Sequence, residues 1–339
     1  MSRLCVGIDI AKRTFVAALW HGDTGQELGE FPNTPAGFAQ WLQATQQATG
    51  SLPGDAWSLV LEPTGGYELA FALFAYEQGI RVSRPNPKQV RDFARGLGQR
   101  AKTDRLDALL LARYAAERKP SRWAPLAREV SELESLLERQ RELEAMVAQE
   151  RRRQQALARR PGVAARVPES LQQVIESLEG ALKEVQEAIR EQLEQHPQLQ
   201  AEAKQLQQVP GVGARNVLWL LVLVRRWHTL TEGKGAAKGL VAFAGLDPRT
   251  HESGTSVRGR GTISRMGDRR IRPQLYMGAL GGVKGNNPLR AFYQRLVKKG
   301  KAKKLALVAC ARKILVWAWA VYRDQTEFRK STCQAEPAA

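Results

Sequence analysis

The stretch that most constrains this chain is residues 59–67, LVLEPTGGY. An apolar run, Leu59-Val60-Leu61, ends on one acid, Glu62; Pro63 and the pair Gly65-Gly66 then stop the strand and turn the chain. A short apolar run bounded by breakers reads as a buried strand. A carboxylate at the tip of such a strand is costly unless a cation, a helix terminus or a metal meets it. The neighbouring elements are expected to supply three more carboxylates to the same point.

Residues 4–10 read as a buried strand ending near Asp9, and residues 14–20 as a second strand across the polar hinge Ala11-Lys12-Arg13. Residues 26–31 suit a third strand. A helix follows over 36–48, with Phe38, Trp41 and Leu42 on one face. Then come a strand at 57–61, a helix at 68–78 and a short strand at 80–83, closed by Pro85 and Pro87. Three strands followed by alternating helix and strand predict an α/β domain with a mixed sheet.

Residues 102–118, KTDRLDALLLARYAAER, carry Leu106, Leu109, Leu110, Arg113 and Tyr114 at helical spacing. Asp104 and Asp107 are three apart and share a face. Acids in a first turn are favoured by the helix dipole alone, so the pair gains meaning from Asp9 and Glu62, each also at the end of an element. Clustered carboxylates raise one another's pKa unless cations neutralise them. Hard oxygen ligands of this kind suit Mg²⁺ or Mn²⁺. Two such ions about 4 Å apart would stabilise both the attacking and the leaving oxygen at a phosphodiester.

Residues 130–158 are rich in Glu, Arg, Gln and Leu, without Gly or Pro; Pro161-Gly162 interrupts them. A second helix spans 170–195, with Ile175, Leu178, Leu182, Val185 and Ile189 stepping by three and four, a coiled-coil seam. A helical hairpin standing off the core would dimerise through this seam; a plain bundle would pack it at home. Residues 208–221, QVPGVGARNVLWLL, start with a Pro-Gly-Val-Gly turn. Gly211 and Gly213 could let backbone N–H groups approach a phosphate, as at a helix N-terminus, or could merely reverse the chain.

Residues 250–276 are expected to form an irregular loop, with glycines at 254, 259, 261 and 267. From Arg258 to Lys304 there are fourteen Lys or Arg against one acid, Asp268, so +13 of the chain's net +18 sits in this stretch. Such a concentration marks a surface for a nucleic-acid backbone. Arg258, Arg260, Arg265, Arg269, Arg270, Lys298 and Lys299 are the candidate contacts, which position a strand without reading its sequence. An apolar, Trp-rich helix is expected over 312–328, and a frayed tail at 331–339.

Three segments, GIDIAK, LEPTGGY and KTDRLDA, resemble the RuvC-like, RNase H-fold domain of the insertion sequence 110 family of transposases. Later segments, FAGLDPR, ESGTSVRG and LYMGAL, resemble that family's C-terminal domain, in order along the chain. The resemblance implies an RNase H-like (RuvC-like) domain at 1–125, a coiled-coil hairpin at 126–205 and a mainly α-helical transposase domain at 206–330. It implies that Asp9, Glu62, Asp104 and Asp107 bind Mg²⁺ or Mn²⁺, and that Ser253 attacks DNA and is held covalently to it. Thr255 and Ser256 lie close beside it, and His251 could relay a proton. It further implies donor and target DNA, an element-encoded guide RNA, and a homo-oligomer, dimer or tetramer, in which the two domains meet.

Two other classes fit the residues. A metal-dependent, junction-resolvase-like endonuclease would use water and need the acids but not Ser253. A non-catalytic nucleic-acid scaffold would need neither. An anionic membrane is a weaker partner for the charge, since apolar runs such as 217–224 fall far short of the about 18 residues of a span. The N-terminus lacks a secretory pattern. Cys5, Cys310 and Cys333 are scattered without a CxxC pair. A cytoplasmic, nucleoid-associated protein is expected.

Overall fold

The structure is a computed structural model describing residues 4–50, 54, 56–98, 103–249, 252–253, 257–258 and 262–328. It divides into two compact units, Met1–Pro125 and Leu126–Ala339.

The first unit runs β1 (Leu4–Ile10), β2 (Thr14–His21), β3 (Thr24–Pro32), α1 (Pro35–Thr49), β4 (Trp57–Leu61), α2 (Leu69–Glu77), β5 (Arg81–Ser83), α3 (Pro87–Gly96) and α4 (Asp104–Arg118). The sheet order is β3-β2-β1-β4-β5. The first three strands form an antiparallel meander, and β4 and β5 add in parallel to β1. Strand alternation sorts the side chains. Val6, Ile8, Ile10, Leu59 and Leu61 point to one face, where Phe15, Phe38, Trp41 and Phe71 close the core under α1 and α2. Cys5 and Val60 point to the other, against Leu110, Leu111 and Tyr114 of α4 and Val90 and Phe93 of α3. The helix α3 was not expected. Pro85 and Pro87 read as strand terminators, yet Pro87 starts a helix capped by Asn86, whose side chain accepts from the Lys88 N–H at 2.9 Å.

One close approach sets the depth at which α4 sits. A Cβ at Gly7 would stand 2.0 Å from the Ala108 carbonyl oxygen and 2.3 Å from the Ala112 nitrogen. The backbone of α4 therefore lies directly on β1.

The second unit opens with α5 (Arg128–Leu157) and α6 (Arg166–Gln195). They form an antiparallel hairpin, registered by Arg151–Glu179 at 2.5 Å, Gln154–Gln172 at 2.9 Å and Gln192 on the Glu129 carbonyl at 3.1 Å. Ile175 and Ile189 are buried within the chain. The seam proposed for dimerisation is thus spent on α5, because antiparallel pairing offers a covalently tethered partner first. Then follow α7 (Pro197–Leu206), α8 (Val217–Thr231), α9 (Ala237–Phe243), β6 (Pro248–Arg249), β7 (Glu252–Ser253), β8 (Val257–Arg258), β9 (Thr262–Ile263), α10 (Ile271–Gly282), α11 (Pro288–Lys298) and α12 (Lys303–Asp324). The base of the hairpin, Val130, Leu133 and Leu137, enters the same core as α7, α8, α10 and α12.

Two boundaries differ from expectation. The loop expected to reach residue 276 gives way to α10 at Ile271, and the last helix starts at Lys303 rather than near 312. α12 is also long and apolar enough to cross a membrane, by length and composition alone. Its Ile314, Leu315, Trp319 and Val321 are buried in the core of this unit, so packing accounts for its apolar character.

Candidate functional site: an acid edge and a basic face

The acid edge belongs to the first unit. The parallel ladder pairs Gly7 with Val60 and Ile8 with Leu61, so Asp9 follows on β1 and Glu62 is the residue just past the end of β4. Each lies two beyond a residue that faces α4, Gly7 and Val60, and so shares that face. α4 runs back along the sheet: Gly7 meets Ala108–Ala112, while Cys5 packs with Leu110, Leu111 and Tyr114. Its first turn, with Asp104 and Asp107, therefore points to the Asp9–Glu62 end. Thr103 caps that turn, accepting from the Leu106 N–H at 3.3 Å. Asp9, Glu62 and Asp107 are half-buried and Asp104 is exposed.

Strand register places Asp9 and Glu62 at the same end of β1 and β4, and the first turn of α4, with Asp104 and Asp107, lies toward that end. In donor type, oxygen only, the set fits a hard divalent cation. Among the described residues, no three acidic, His or Cys side chains stand close enough to hold one ion.

A fifth acid of the same motif went unnoticed in the sequence. Glu68 is 1% exposed. It accepts from the Thr64 and Gly66 N–H groups at 3.0 and 3.1 Å and pairs with Arg84. Asn33 was also missed. Its side-chain amide donates to the carbonyls of Ala11, at 3.0 Å, and Tyr67, at 3.2 Å. The GGYE run carried a signal for Glu68; nothing local marked Asn33.

The basic face belongs to the second unit, and it is smaller than the charge count implied. Arg270 faces inward. It pairs with Asp268 at 2.7 Å and Glu134 at 2.8 Å, contacts Glu138, and stacks over Trp219 with 5.6 Å to the ring centroid. Burial works against its charge, but these acids outweigh it and hold its pKa above the ordinary arginine value. Arg270 is therefore withdrawn from the DNA contacts, its guanidinium being committed to a buried network. Arg272 likewise donates to the carbonyls of Gly267 and Asp268 at 2.9 and 3.2 Å. Arg265, Arg269, Lys298 and Lys299 are exposed, as are Lys301, Lys303 and Lys304.

The two turn glycines also have packing roles. Gly211, with φ +93°, lies where a Cβ would meet Ile314 at 2.6 Å and the Gly278 carbonyl oxygen at 2.9 Å. The Gly213 N–H donates to the buried Asn216 side chain at 2.8 Å, whose amide in turn donates to the Gly211 carbonyl at 2.9 Å. With that N–H already bonded, chain reversal explains the turn and a phosphate grip is not needed.

Ser253 lies in β7, which pairs with β8 in the register Glu252↔Arg258 and Ser253↔Val257. That places it on a short hairpin ahead of α10. Arg260, His251, Thr255 and Ser256 lie outside the described residues. Burial pushes the Cys310 thiol up to about 12, leaving it protonated and unreactive.

Comparison with known proteins bears on both units. A family model of DEDD type from the IS110 group, described as Transposase, matches residues 6–160. A second, described as Transposase IS116/IS110/IS902 family, matches residues 203–294. The chain is 33% identical over 334 residues to the pilin gene-inverting protein of Moraxella lacunata, covering 97% of this chain and 99% of that one. The Moraxella bovis protein of the same name gives the same identity and coverage. An uncharacterized 43.6 kDa protein of insertion element IS110 from Streptomyces coelicolor is 32% identical over 134 residues, 40% of this chain and 31% of that protein. With both units matched in order and a relative aligned end to end, the chain belongs to the IS110 family of transposases, enzymes of DNA recombination.

Proposed function

We propose that this transposase cuts and rejoins DNA strands with two groups of residues, the acids Asp9, Glu62, Asp104 and Asp107 and the hydroxyl of Ser253. The observation that carries the reading is the shared face of Asp9 and Glu62, covered by a helix whose first turn bears the Asp pair. The sheet order β3-β2-β1-β4-β5, antiparallel then parallel, supports an RNase H-like, RuvC-like domain. The four carboxylates would hold Mg²⁺ or Mn²⁺, which supplies charge stabilisation at a scissile phosphate.

The Ser253 oxygen attacks phosphorus, its proton passes to a nearby base or water, and the displaced strand end leaves as a hydroxyl. One phosphoester replaces another, so the bond energy is kept for rejoining and no nucleotide cofactor is required. Arg265, Arg269, Lys298 and Lys299, with Arg258 and Arg260 beside Ser253 in sequence, would neutralise phosphates. An element-encoded RNA would direct the choice of donor and target, and a dimer or tetramer would bring the acids and the serine together. The assembly would act on DNA in the cytoplasm.

Two measurements test this. Asp104→Asn should lower strand cleavage by about 10²-fold or more, the scale of losing one preorganised electrostatic partner, with DNA affinity kept. Normal cutting by that variant removes Asp104 from the site. A covalent protein–DNA adduct should form with the wild type and vanish in Ser253→Ala. Cleavage that persists in S253A would instead make water the nucleophile.

A further inference from the structure

The turns that follow Asp9 and Glu62 are tied to each other and to the sheet by side chains that the proposed chemistry does not use. Asn33 spans both turns: one amide nitrogen donates to the carbonyl of Ala11, just past Asp9, and to that of Tyr67, just past Glu62. Its own backbone N–H bonds the Arg13 carbonyl at 2.8 Å, and the Ala11 N–H bonds the Thr14 carbonyl at 2.8 Å, so the first turn is closed on itself. On the second turn, Gly65 and Gly66 adopt φ of +63° and +95°. That left-handed backbone suits glycine. Glu68 gathers two amide hydrogens of this turn with one oxygen while its other oxygen meets Arg84. Arg84 lies over the Trp123 ring, 5.5 Å from its centroid, and the Trp123 N–H is fixed to the Val82 carbonyl at 2.7 Å. The Thr64 hydroxyl bonds back to the Glu62 carbonyl at 3.1 Å.

We infer that Asn33 and Glu68 are positioning residues that hold the strand acids Asp9 and Glu62 at a fixed separation. The inference rests on the reading of those acids as cation ligands. Glu68 is not itself a ligand, because both of its oxygens are engaged within the fold. A buried carboxylate is tolerated only when fully compensated, and here the compensation comes from the loop it organises. A turn with two left-handed glycines would otherwise be the most pliable part of the edge. Outer partners that orient metal ligands typically change metal affinity by about 10–100-fold when removed.

The test uses the full-length chain without DNA and Mn²⁺ as the probe, its binding followed by electron paramagnetic resonance. Asn33→Ala and Glu68→Ala should each weaken Mn²⁺ binding by about 10-fold or more, with Glu68→Gln, which keeps an acceptor but loses the charge, in between. Hydrogen exchange should quicken at the Thr64 and Gly66 amides in the Glu68 variants, while the amides of β1 and β4 stay protected. Should E68A fail to fold, N33A, at a half-buried surface position, carries the test. Wild-type Mn²⁺ affinity in a folded N33A or E68A, with Glu62→Gln binding weakly, overturns the clamp alone. Wild-type affinity in E62Q as well would remove the acid site, and with it the purpose of the clamp.

Discussion

The middle and the end of the basic stretch carry the same sign of charge and have opposite fates. At its middle, Arg270 and Arg272 turn inward, one into a network with Asp268, Glu134 and Glu138, the other onto backbone carbonyls. At its end, Lys298, Lys299, Lys301, Lys303 and Lys304 line the turn between α11 and α12, all exposed. A planar guanidinium can satisfy several acceptors at once, whereas a lysine keeps a compact, strongly hydrated charge. The contrast teaches that a charge count sets an upper bound on a nucleic-acid surface. How much of it faces outward depends on which cations the fold has already consumed.

The sharpest way to break this contrast is at Arg270. Its side chain is 18% exposed, and Arg270→Ala would leave Asp268 partly buried without its main partner, while Glu134 keeps only Arg226. A loss of about 3–5 kcal/mol in urea unfolding is expected, the usual cost of halving a buried pair. A variant as stable as the wild type would mean that Arg270 is available to DNA after all.

A smaller effect concerns acid. Burial raises the Asp268 pKa, but the hydrogen bonds and charge of Arg270 more than reverse this, so the net shift is down. A depressed carboxylate contributes stability that is present above its unfolded pKa, about 3.9, and is lost as pH falls through its lower folded value. Wild-type stability should therefore drop below about pH 4, and Asp268→Asn should flatten that part of the curve. An unchanged acid limb in D268N would show that other carboxylates govern it.

The smallest change in stability, and the clearest in binding, is expected at the lysines. Replacing Lys298 and Lys299 with Ala should alter stability by no more than about 0.5 kcal/mol. It should weaken binding about equally on all DNA sequences and lower the salt slope by up to about 2, at roughly 0.9 for each phosphate no longer neutralised. An intact slope would place this turn off the nucleic-acid path.

Much of the first unit is legible in the sequence, because strand alternation and helix period are local. Asp9 and Glu62 follow apolar runs whose parity already assigns their face, and the first turn of α4 announces itself through Thr103, Asp104 and Asp107. Proline is harder, since Pro87 begins a helix while reading as a stop. The seam from Ile175 to Ile189 has the right period, but a period does not name its partner, and α5 took it. Arg269 and Arg270 are chemically identical neighbours. Asp268 beside them and two acids more than a hundred residues away, on α5, decide that one is exposed and the other is not. Asn33 bridges two carbonyls that no pattern connects.

Gly7 carries a last implication. The gap between the strand acids and the helix acids is set by an atom that is missing: with no Cβ at this position, α4 rests on β1 backbone to backbone. Any other residue there would lift the helix like a shim under a hinge, moving Asp104 and Asp107 away from Asp9 and Glu62 together. The seating of α4 is thus encoded by hydrogen in place of carbon at one position, two residues before Asp9 on the same strand.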